Sequence, residues 1–208
     1  MLLHHAIIVC HRDEHLIPEH VRHVDALLDG RGIARSRCCY FAESEDWIPD
    51  TGGVPFHIVQ FLEMYENLPL KTYGMMQHAL TIPGWTHLLK ADVNSHPTAF
   101  DTDAIENNHL VGYYTDTTGY CANHAGRVEQ LGLAEPFMGP MPTVWCGGPA
   151  YVVSRLLATK IVSLGAWAAR AWPYEDQMVS HIAAENGWPA VPGIGYWTDG
   201  KDWRQDGV

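Results

Sequence analysis

Residues 85–94 read WTHLLKADVN, an apolar run that ends in a polar turn. The run has the length of a strand and closes on Asp92, which is typical of a buried strand in an α/β domain. In open α/β sheets, ligands bind in the crevice beyond the carboxyl ends of the strands. We therefore expect Asp92 and the residues after it to face a ligand.

Predicted strands alternate with amphipathic helices along the rest of the chain. Residues 16–28 carry apolar side chains at helical spacing and are followed by Gly30, which ends the predicted helix. The alternation predicts an α/β fold with a mostly parallel central sheet flanked by helices, and 208 residues fit one such domain. The predicted strands are residues 3–10, 37–41, 86–91 and 110–115, and the predicted helices are residues 16–28, 56–66, 70–80, 151–164 and 177–186. The predicted irregular segments are residues 44–54, residues 117–142 and the tail from Gly187. Residues 117–142 are long enough to suggest a binding loop.

The charge balance is acidic, with 13 Lys and Arg against 24 Asp and Glu and a formal net charge of −11. Such a surface does not attract phosphate backbones over long range, so general nucleic-acid binding is not expected. No run approaches the roughly 20 apolar residues that span a bilayer, and the first residues are typical of a strand rather than of a signal peptide. The 5 cysteines are an odd number without paired metal spacing and indicate free thiols. We expect a cytoplasmic protein.

Three further blocks of sequence accompany residues 85–94 in a fixed order. They are residues 65–72 (YENLPLKT), residues 145–155 (WCGGPAYVVSR) and residues 173–177 (PYEDQ). Together the blocks resemble the β-1,3-galactosyltransferase/Fringe family of glycosyltransferases. The resemblance implies a single GT-A-type, Rossmann-like domain, in which residues 1–91 form the nucleotide-binding half and residues 92–208 the acceptor and catalytic half. Because the family's membrane anchor has no counterpart here, we expect a bacterial or viral origin.

The resemblance also implies an activity, the inverting transfer of a hexose or N-acetylhexosamine from a UDP-sugar to a hydroxyl acceptor. In that reaction Asp176, next to Glu175, would be the general base that removes the proton of the acceptor hydroxyl. The residues alone leave an alternative open, because acids in the first turn of a helix also complement the helix dipole.

A divalent cation is the cofactor that the resemblance implies. Mn²⁺ or Mg²⁺ held by strand-end carboxylates neutralises the diphosphate as it leaves. Where the family has three aspartates, this chain has Asp92, Val93 and Asn94. Asn94 offers only a neutral carbonyl, and His96 follows at the same spacing, so Asp92, Asn94 and His96 are the candidate ligands. The alternative for Asp92 is a turn cap.

Other residues are candidates for binding the donor. Gly147 and Gly148 would let the backbone approach a sugar closely, although a tight turn explains them as well. Asp199 or Asp202 could replace a late histidine ligand of the family. Arg12, Lys71 and Lys90 are further candidates for binding the donor. Arg12 is equally typical of an exposed surface residue, and the lysines could form structural ion pairs, with Glu66 or Asp92 as the partner of Lys71. Tyr113 and Trp145 are candidates for stacking on a sugar or base, although aromatic residues at such positions also form the core.

Two other functions are compatible with the sequence. One is a viral enzyme that glycosylates hydroxylated DNA bases, although the negative charge argues against DNA binding. A catalytically silent binding module is supported by Asn94 and opposed by the retained Glu175 and Asp176. A zinc hydrolase is not supported, since no histidine spacing suits zinc.

Overall fold

The computed structural model describes residues 1–43, 48–62, 68–116, 144–172, 174–198 and 201–203. Its strands are β1 Leu2–Ile8, β2 Ala34–Glu43, β3 Phe56–Leu62, β4 His87–Asp92, β5 Ser95–Phe100, β6 Leu110–Asp116, β7 Val144–Ser154, β8 Val191–Pro192, β9 Ile194–Thr198 and β10 Lys201–Trp203. Its helices are a 3-10 helix His11–Leu16, α1 Ile17–Asp29, α2 Leu68–Thr81, α3 Thr102–Asn107, α4 Arg155–Ser163, α5 Ala166–Arg170 and α6 Glu175–Glu185.

The central sheet has seven strands in the order β3-β2-β1-β4-β7-β6-β8. Strands β3, β2, β1 and β4 run parallel to one another, β7 runs antiparallel to both β4 and β6, and β8 is parallel to β6. The predicted α/β fold with a mostly parallel sheet is therefore confirmed. A second sheet of three strands has the order β10-β9-β5.

Each face of the central sheet carries its own apolar core. One face packs against α2, α4 and α6, with Met75, Leu157 and Met178 among the buried side chains. The other face packs against α1, α3 and the second sheet, with Val24 and Ile105 among its buried side chains. The sheet thus lies between two layers.

Side-chain caps explain where two of the helices begin. Ser154 accepts a hydrogen bond from the Leu157 backbone N–H at 3.1 Å and starts α4. Asp101 accepts one from the Ala104 N–H at 2.9 Å and starts α3. Both residues satisfy backbone donors that have no partner inside the helix.

Two sequence predictions about these elements are wrong. The predicted helix over residues 56–66 is instead strand β3, which pairs with β2 over its described part. The predicted helix over residues 151–164 begins at Arg155, because residues 151–154 complete β7. In both places a short apolar run has no periodicity that separates a buried strand from a buried helix.

The tail from Gly187 contains more structure than the sequence indicates, since it forms β8, β9 and β10. The predicted loop over residues 117–142 lies outside the described residues. Cys10, Cys38, Cys39 and Cys146 are free thiols as predicted, whereas Cys121 also falls outside the described part. Across the described ranges, every helix is too short or too polar to cross a bilayer.

Candidate functional site

Asp92 lies at the carboxyl end of β4, beside the end of β1. Ile8 of β1 is its register partner. Lys90 of the same strand is fully buried on the face that α6 covers. The strand therefore brings a cation and a carboxylate to the edge of the sheet where α/β proteins bind ligands.

The Lys90 ammonium joins β4 to the start of α6. Its Nζ lies 2.7 Å from Asp92 Oδ1 and 3.1 Å from Glu175 Oε1, and it also donates a hydrogen bond to the carbonyl oxygen of Gly148. The structure thus brings together three separately predicted segments: the end of β4, the Gly147-Gly148 pair in β7, and the acids that open α6.

Electrostatics keep this buried lysine charged. Burial by itself lowers the pKa of Lys90, but the charges of Asp92 and Glu175 outweigh burial and raise it above its ordinary value. Burial raises the pKa of Asp92, and Lys90 opposes that rise. A buried charge is tolerated when it is paired and hydrogen-bonded, and Lys90 meets both conditions.

Helix α6 is fixed on β7 by a contact one turn beyond its acids. The Cys146 backbone N–H donates to Ser180 Oγ at 3.1 Å. At the first turn, Asp176 Oδ1 accepts a hydrogen bond from the Gln177 backbone N–H at 2.8 Å. The N-cap residue, Tyr174, makes no side-chain cap. Asp176 therefore makes a first-turn contact of the capping type while part of its side chain stays exposed.

The pKa of the Asp176 carboxyl is raised toward neutral pH. Burial and the charge of the neighbouring Glu175 together raise the pKa of Asp176 to about 7, while the Gln177 N–H and Lys90 act in the opposite direction. A general base is most effective when its pKa is near the working pH. Asp176 meets this electrostatic requirement for proton abstraction near neutral pH.

Gly147 and Gly148 leave room for the acids of α6 and for Tyr196, because they have no side chain. A Cβ placed on Gly148 would lie 3.0 Å from Glu175 Oε1 and 3.4 Å from Asp176 Oδ2. A Cβ on Gly147 would lie 2.9 Å from the Tyr196 hydroxyl and 3.7 Å from a ring carbon of Tyr113. A larger side chain at either position would push into the acids or into the tyrosines.

Tyr196 and Tyr151 are site residues that sequence reasoning missed. Tyr196 of β9 meets Tyr113 edge to face, with ring centroids 5.7 Å apart. The Tyr151 ring centroid lies 5.5 Å from Lys90 Nζ. Burial raises the pKa of both hydroxyls. No motif marks Tyr196, because it reaches the site only through the pairing of β9 with β5.

Two of the predicted donor-binding cations occupy very different environments. Lys71 is 5% exposed, and its Nζ donates to the Val9 carbonyl at 2.8 Å, just beyond β1. Arg12 lies in the 3-10 helix after β1, with its side chain 86% exposed and its Nε 3.5 Å from Asp13 Oδ2. Arg12 is therefore accessible to a ligand, whereas Lys71 contacts the backbone of the protein itself.

The other predicted binding residues are spread around the same turn. Asn94 is exposed between β4 and β5. The His96 ring packs against His20 and His23 of α1, with ring centroids 5.6 and 5.0 Å apart, and its part as a metal ligand stays a prediction. Trp145 is 3% exposed and so offers little of its ring to a ligand.

The donor set at the turn suits one mode of divalent-ion binding. Asp92 and Asn94 offer hard oxygen atoms, and Mg²⁺-like ions are commonly held by one or two carboxylates plus substrate phosphates. The described residues contain no group of three or more His, Cys, Asp or Glu that could hold an ion by themselves. Asp199, and the side chain of Asp202, lie outside the described part.

The strand order and the turn after β4 define the class of fold, that of the GT-A glycosyltransferases. The chain is similar to galactosyltransferase LgtC in complex with donor and acceptor sugar analogues, with a TM-score of 0.53 and 10% identity over 90% of this chain and 73% of that one.

Two structures of a second enzyme show the same likeness. The catalytic domain of Drosophila β1,4-galactosyltransferase 7 with xylobiose matches with a TM-score of 0.53 and 13% identity over 92% of this chain. A mutant of that enzyme with manganese, UDP-Gal and xylobiose matches with a TM-score of 0.52 and 12% identity over 92% of this chain. This chain spans 64% of each of these two structures.

Sequence comparison adds no family. No protein-family model matches the chain, and no curated protein matches it. The GT-A fold is thus established by structure, and membership in the β-1,3-galactosyltransferase/Fringe family stays a prediction.

Proposed function

We propose that the protein is a nucleotide-sugar-dependent glycosyltransferase that moves a hexose or N-acetylhexosamine from a UDP-sugar to a hydroxyl of a sugar acceptor. The observation that carries this proposal is the Lys90 ammonium, which joins the strand-end Asp92 to Glu175, the residue before Asp176 in α6. The solved structures of similar fold that contain sugar donors or acceptors support the same class of reaction. Residues 1–91 then hold the nucleotide, and residues 92–208 supply the acceptor and catalytic groups.

Asp176 is the general base in this proposal. Its carboxylate removes the proton of the acceptor hydroxyl as that oxygen attacks the anomeric carbon. The new bond forms on the face opposite the diphosphate, the bond from the anomeric carbon to the diphosphate oxygen breaks, and UDP leaves with the electron pair, which inverts the anomeric configuration. A pKa raised to about 7 makes the carboxylate basic enough to take the proton and still largely ionised above that pH.

The donor lies over the turn after β4. Asp92 and Asn94 would hold Mn²⁺ or Mg²⁺, which neutralises charge on the diphosphate when bound. The exposed Arg12 is placed to contact the phosphates or the base. Lys71 and Lys90 lie below the donor and contribute positive charge without contacting it, because both are buried and donate hydrogen bonds to oxygen atoms of the protein itself.

The acceptor side is formed by the two glycines and the tyrosine pair. Gly147 and Gly148 let Tyr196 and the acids of α6 lie close to β7. The half-buried Tyr113, packed on the buried Tyr196, provides aromatic surface for the apolar face of a sugar ring. Neither the structure nor the comparisons support a hydroxylated DNA base as the acceptor.

Replacing Asp176 with Asn tests the role of the base. We expect Asp176→Asn to fold and to bind UDP, and to lose transfer by about 10²–10⁴-fold, since an amide cannot accept the proton. The measurement is UDP release from UDP-galactose and UDP-N-acetylglucosamine with simple sugar acceptors. Asp103→Asn is the matched control, because Asp103 is an acid in the first turn of α3. An Asp176→Asn enzyme as active as the Asp103→Asn control would remove Asp176 from this role.

Calorimetry of UDP binding tests the metal. We expect added Mn²⁺ to tighten UDP binding and EDTA to weaken it, and Asp92→Asn to remove most of that difference. Equal affinities for UDP in Mn²⁺ and in EDTA would show that the turn after β4 binds the diphosphate without an ion.

A further inference from the structure

A second pocket lies on the helical layer, away from the sheet edge that carries Asp92. It has a volume of about 420 Å³ and is formed by α4, α5, α6 and the segment between α5 and α6. That volume falls within the range of small-molecule sites. Its lining includes Lys160, Trp167, Trp172, His181, Glu185 and Asn186.

Trp167 gives the pocket its exposed aromatic surface, and the buried Trp172 lies behind it in the lining. Trp167 is 75% exposed, which is unusual for so large an apolar side chain. A Cβ on Gly165, a glycine with φ +83°, would lie 3.0 Å from Trp167 Cδ1, so the indole packs against this turn. Trp172 is 5% exposed and packs against His181 with ring centroids 5.1 Å apart. Both indoles are therefore held in place before a ligand arrives.

The pocket is also lined by charged and neutral polar side chains. Lys160 of α4 and Glu185 of α6 are exposed and of opposite sign. The Asn186 side chain donates to the Ile182 carbonyl at 2.7 Å, which orients its amide. The pocket thus combines aromatic surface with both hydrogen-bond donors and acceptors.

We propose that this pocket binds a sugar ring of a saccharide. A pyranose has an apolar C–H face, which suits an indole, and hydroxyls around its edge, which need both donors and acceptors. A phosphate or nucleotide would need an excess of positive charge, which the balanced Lys160 and Glu185 do not supply. A lipid chain would leave the charged rim without hydrogen bonds and desolvated.

The pocket is separate from the proposed catalytic centre, although α6 contributes to both. Asp176 is in the first turn of α6 and Glu185 is its last residue, which places them about 13 Å apart along the helix axis at 1.5 Å per residue. The pocket would hold a saccharide on the enzyme at a distance from the transfer reaction. Its binding of a sugar does not depend on the proposed transfer.

The test is saturation-transfer NMR with free galactose, N-acetylglucosamine and lactose, each added to the full chain without nucleotide. We expect weak, saturable binding of at least one sugar. Trp167→Ala should weaken that binding by about tenfold or more, because it removes the exposed indole. Glu185→Gln should weaken it by a smaller factor, since it keeps the shape and removes the charge.

Leu156→Ala is the matched control, because Leu156 is 53% exposed on α4 and does not line the pocket. It should leave sugar binding unchanged. Circular dichroism of Trp167→Ala checks that the fold is intact. The proposal is overturned if none of the three sugars binds, if Trp167→Ala binds as the wild type does, or if UDP displaces the sugar.

Discussion

Two groups of buried polar side chains lie on opposite faces of the central sheet, and they differ in whether the buried side chains are ionised or neutral. The first, here named the charged group, is Lys90, Asp92 and Glu175, on the face covered by α6. The second, here named the histidine group, is His5, His20 and His96, on the face covered by α1. The charged group keeps its ions by pairing them, whereas the histidine group is buried in neutral form.

The histidine group shows how burial suppresses charge. His5 Nε2 and His20 Nε2 lie 3.1 Å apart, so one ring donates to the other, which requires a neutral acceptor ring. Burial, with help from the neighbouring His96 and His23, lowers the pKa of His20 to about 3. Burial lowers the pKa of His5 as well. No carboxylate is among the causes of either shift, so neither ring has the compensation that Lys90 receives.

The comparison indicates where the molecule tolerates ions at its core. A buried ion is retained at the carboxyl end of β4, where a charged diphosphate would bind, and partners of opposite sign surround it. At the histidine group, burial keeps the rings neutral.

Lys90→Met should destabilise the protein most. It leaves the Asp92 and Glu175 carboxylates without their cation, and breaking a buried pair in this way costs about 3–5 kcal/mol. Urea denaturation followed by circular dichroism measures the free energy of unfolding. Lys160→Met, at an exposed lysine, is the stability control. A loss below about 1 kcal/mol would mean that solvent, not Lys90, compensates the two acids.

Gly148→Ala should damage the site more than the fold. The added Cβ would lie 3.0 Å from Glu175 Oε1 and must shift the acids. A displacement of the base by a fraction of an ångström or more should lower transfer by about 10–100-fold. Gly30→Ala is the control, because its Cβ would come no closer than 3.5 Å to Ala26 O. Unchanged UDP release in Gly148→Ala would show that the acids tolerate the shift.

The histidine group predicts sensitivity to acid. Because the pKa of His20 is lowered from 6.5 to about 3, the unfolded chain binds the proton first as the pH falls. Stability that is present above pH 6.5 is therefore lost between about pH 6.5 and pH 3. His20→Gln should narrow the difference in unfolding free energy between pH 7 and pH 4 by on the order of 2 kcal/mol. His15→Gln, at an exposed histidine, should not narrow it.

Asp176→Asn should stabilise the protein in mild base. The pKa of Asp176 is raised from 3.8 to about 7, so the folded state binds the proton more tightly and loses stability as the pH rises from about 4 to about 7. The neutral amide avoids this loss and can still accept the Gln177 N–H. The melting temperature at pH 8 should rise by about 3 °C or more, and the gain should shrink by pH 5. A lower melting temperature at pH 8 would favour the capping interpretation of Asp176.

Sequence reasoning worked best where one segment determines its own structure. The strand that ends at Asp92 and the helix that follows Asp176 were predicted within two residues of their observed ends. It failed at residues 56–62 and 151–154, where strands are apolar on both sides and resemble buried helices. The alternation of predicted strands and helices was still sufficient for the fold class.

The sequence by itself determined the α/β alternation, the polar turn after Asp92 and the pair of acids that opens α6, because each depends on residues close together in the chain. Only the tertiary structure decided that Lys90 pairs with Glu175, 85 positions away, and that Tyr196 reaches the site. The pKa of Asp176 was decided in the same way, since burial and neighbouring charges from other elements set it. Burial and ion pairing depend on how distant segments pack together, and the periodicity of apolar residues within one segment does not predict that packing.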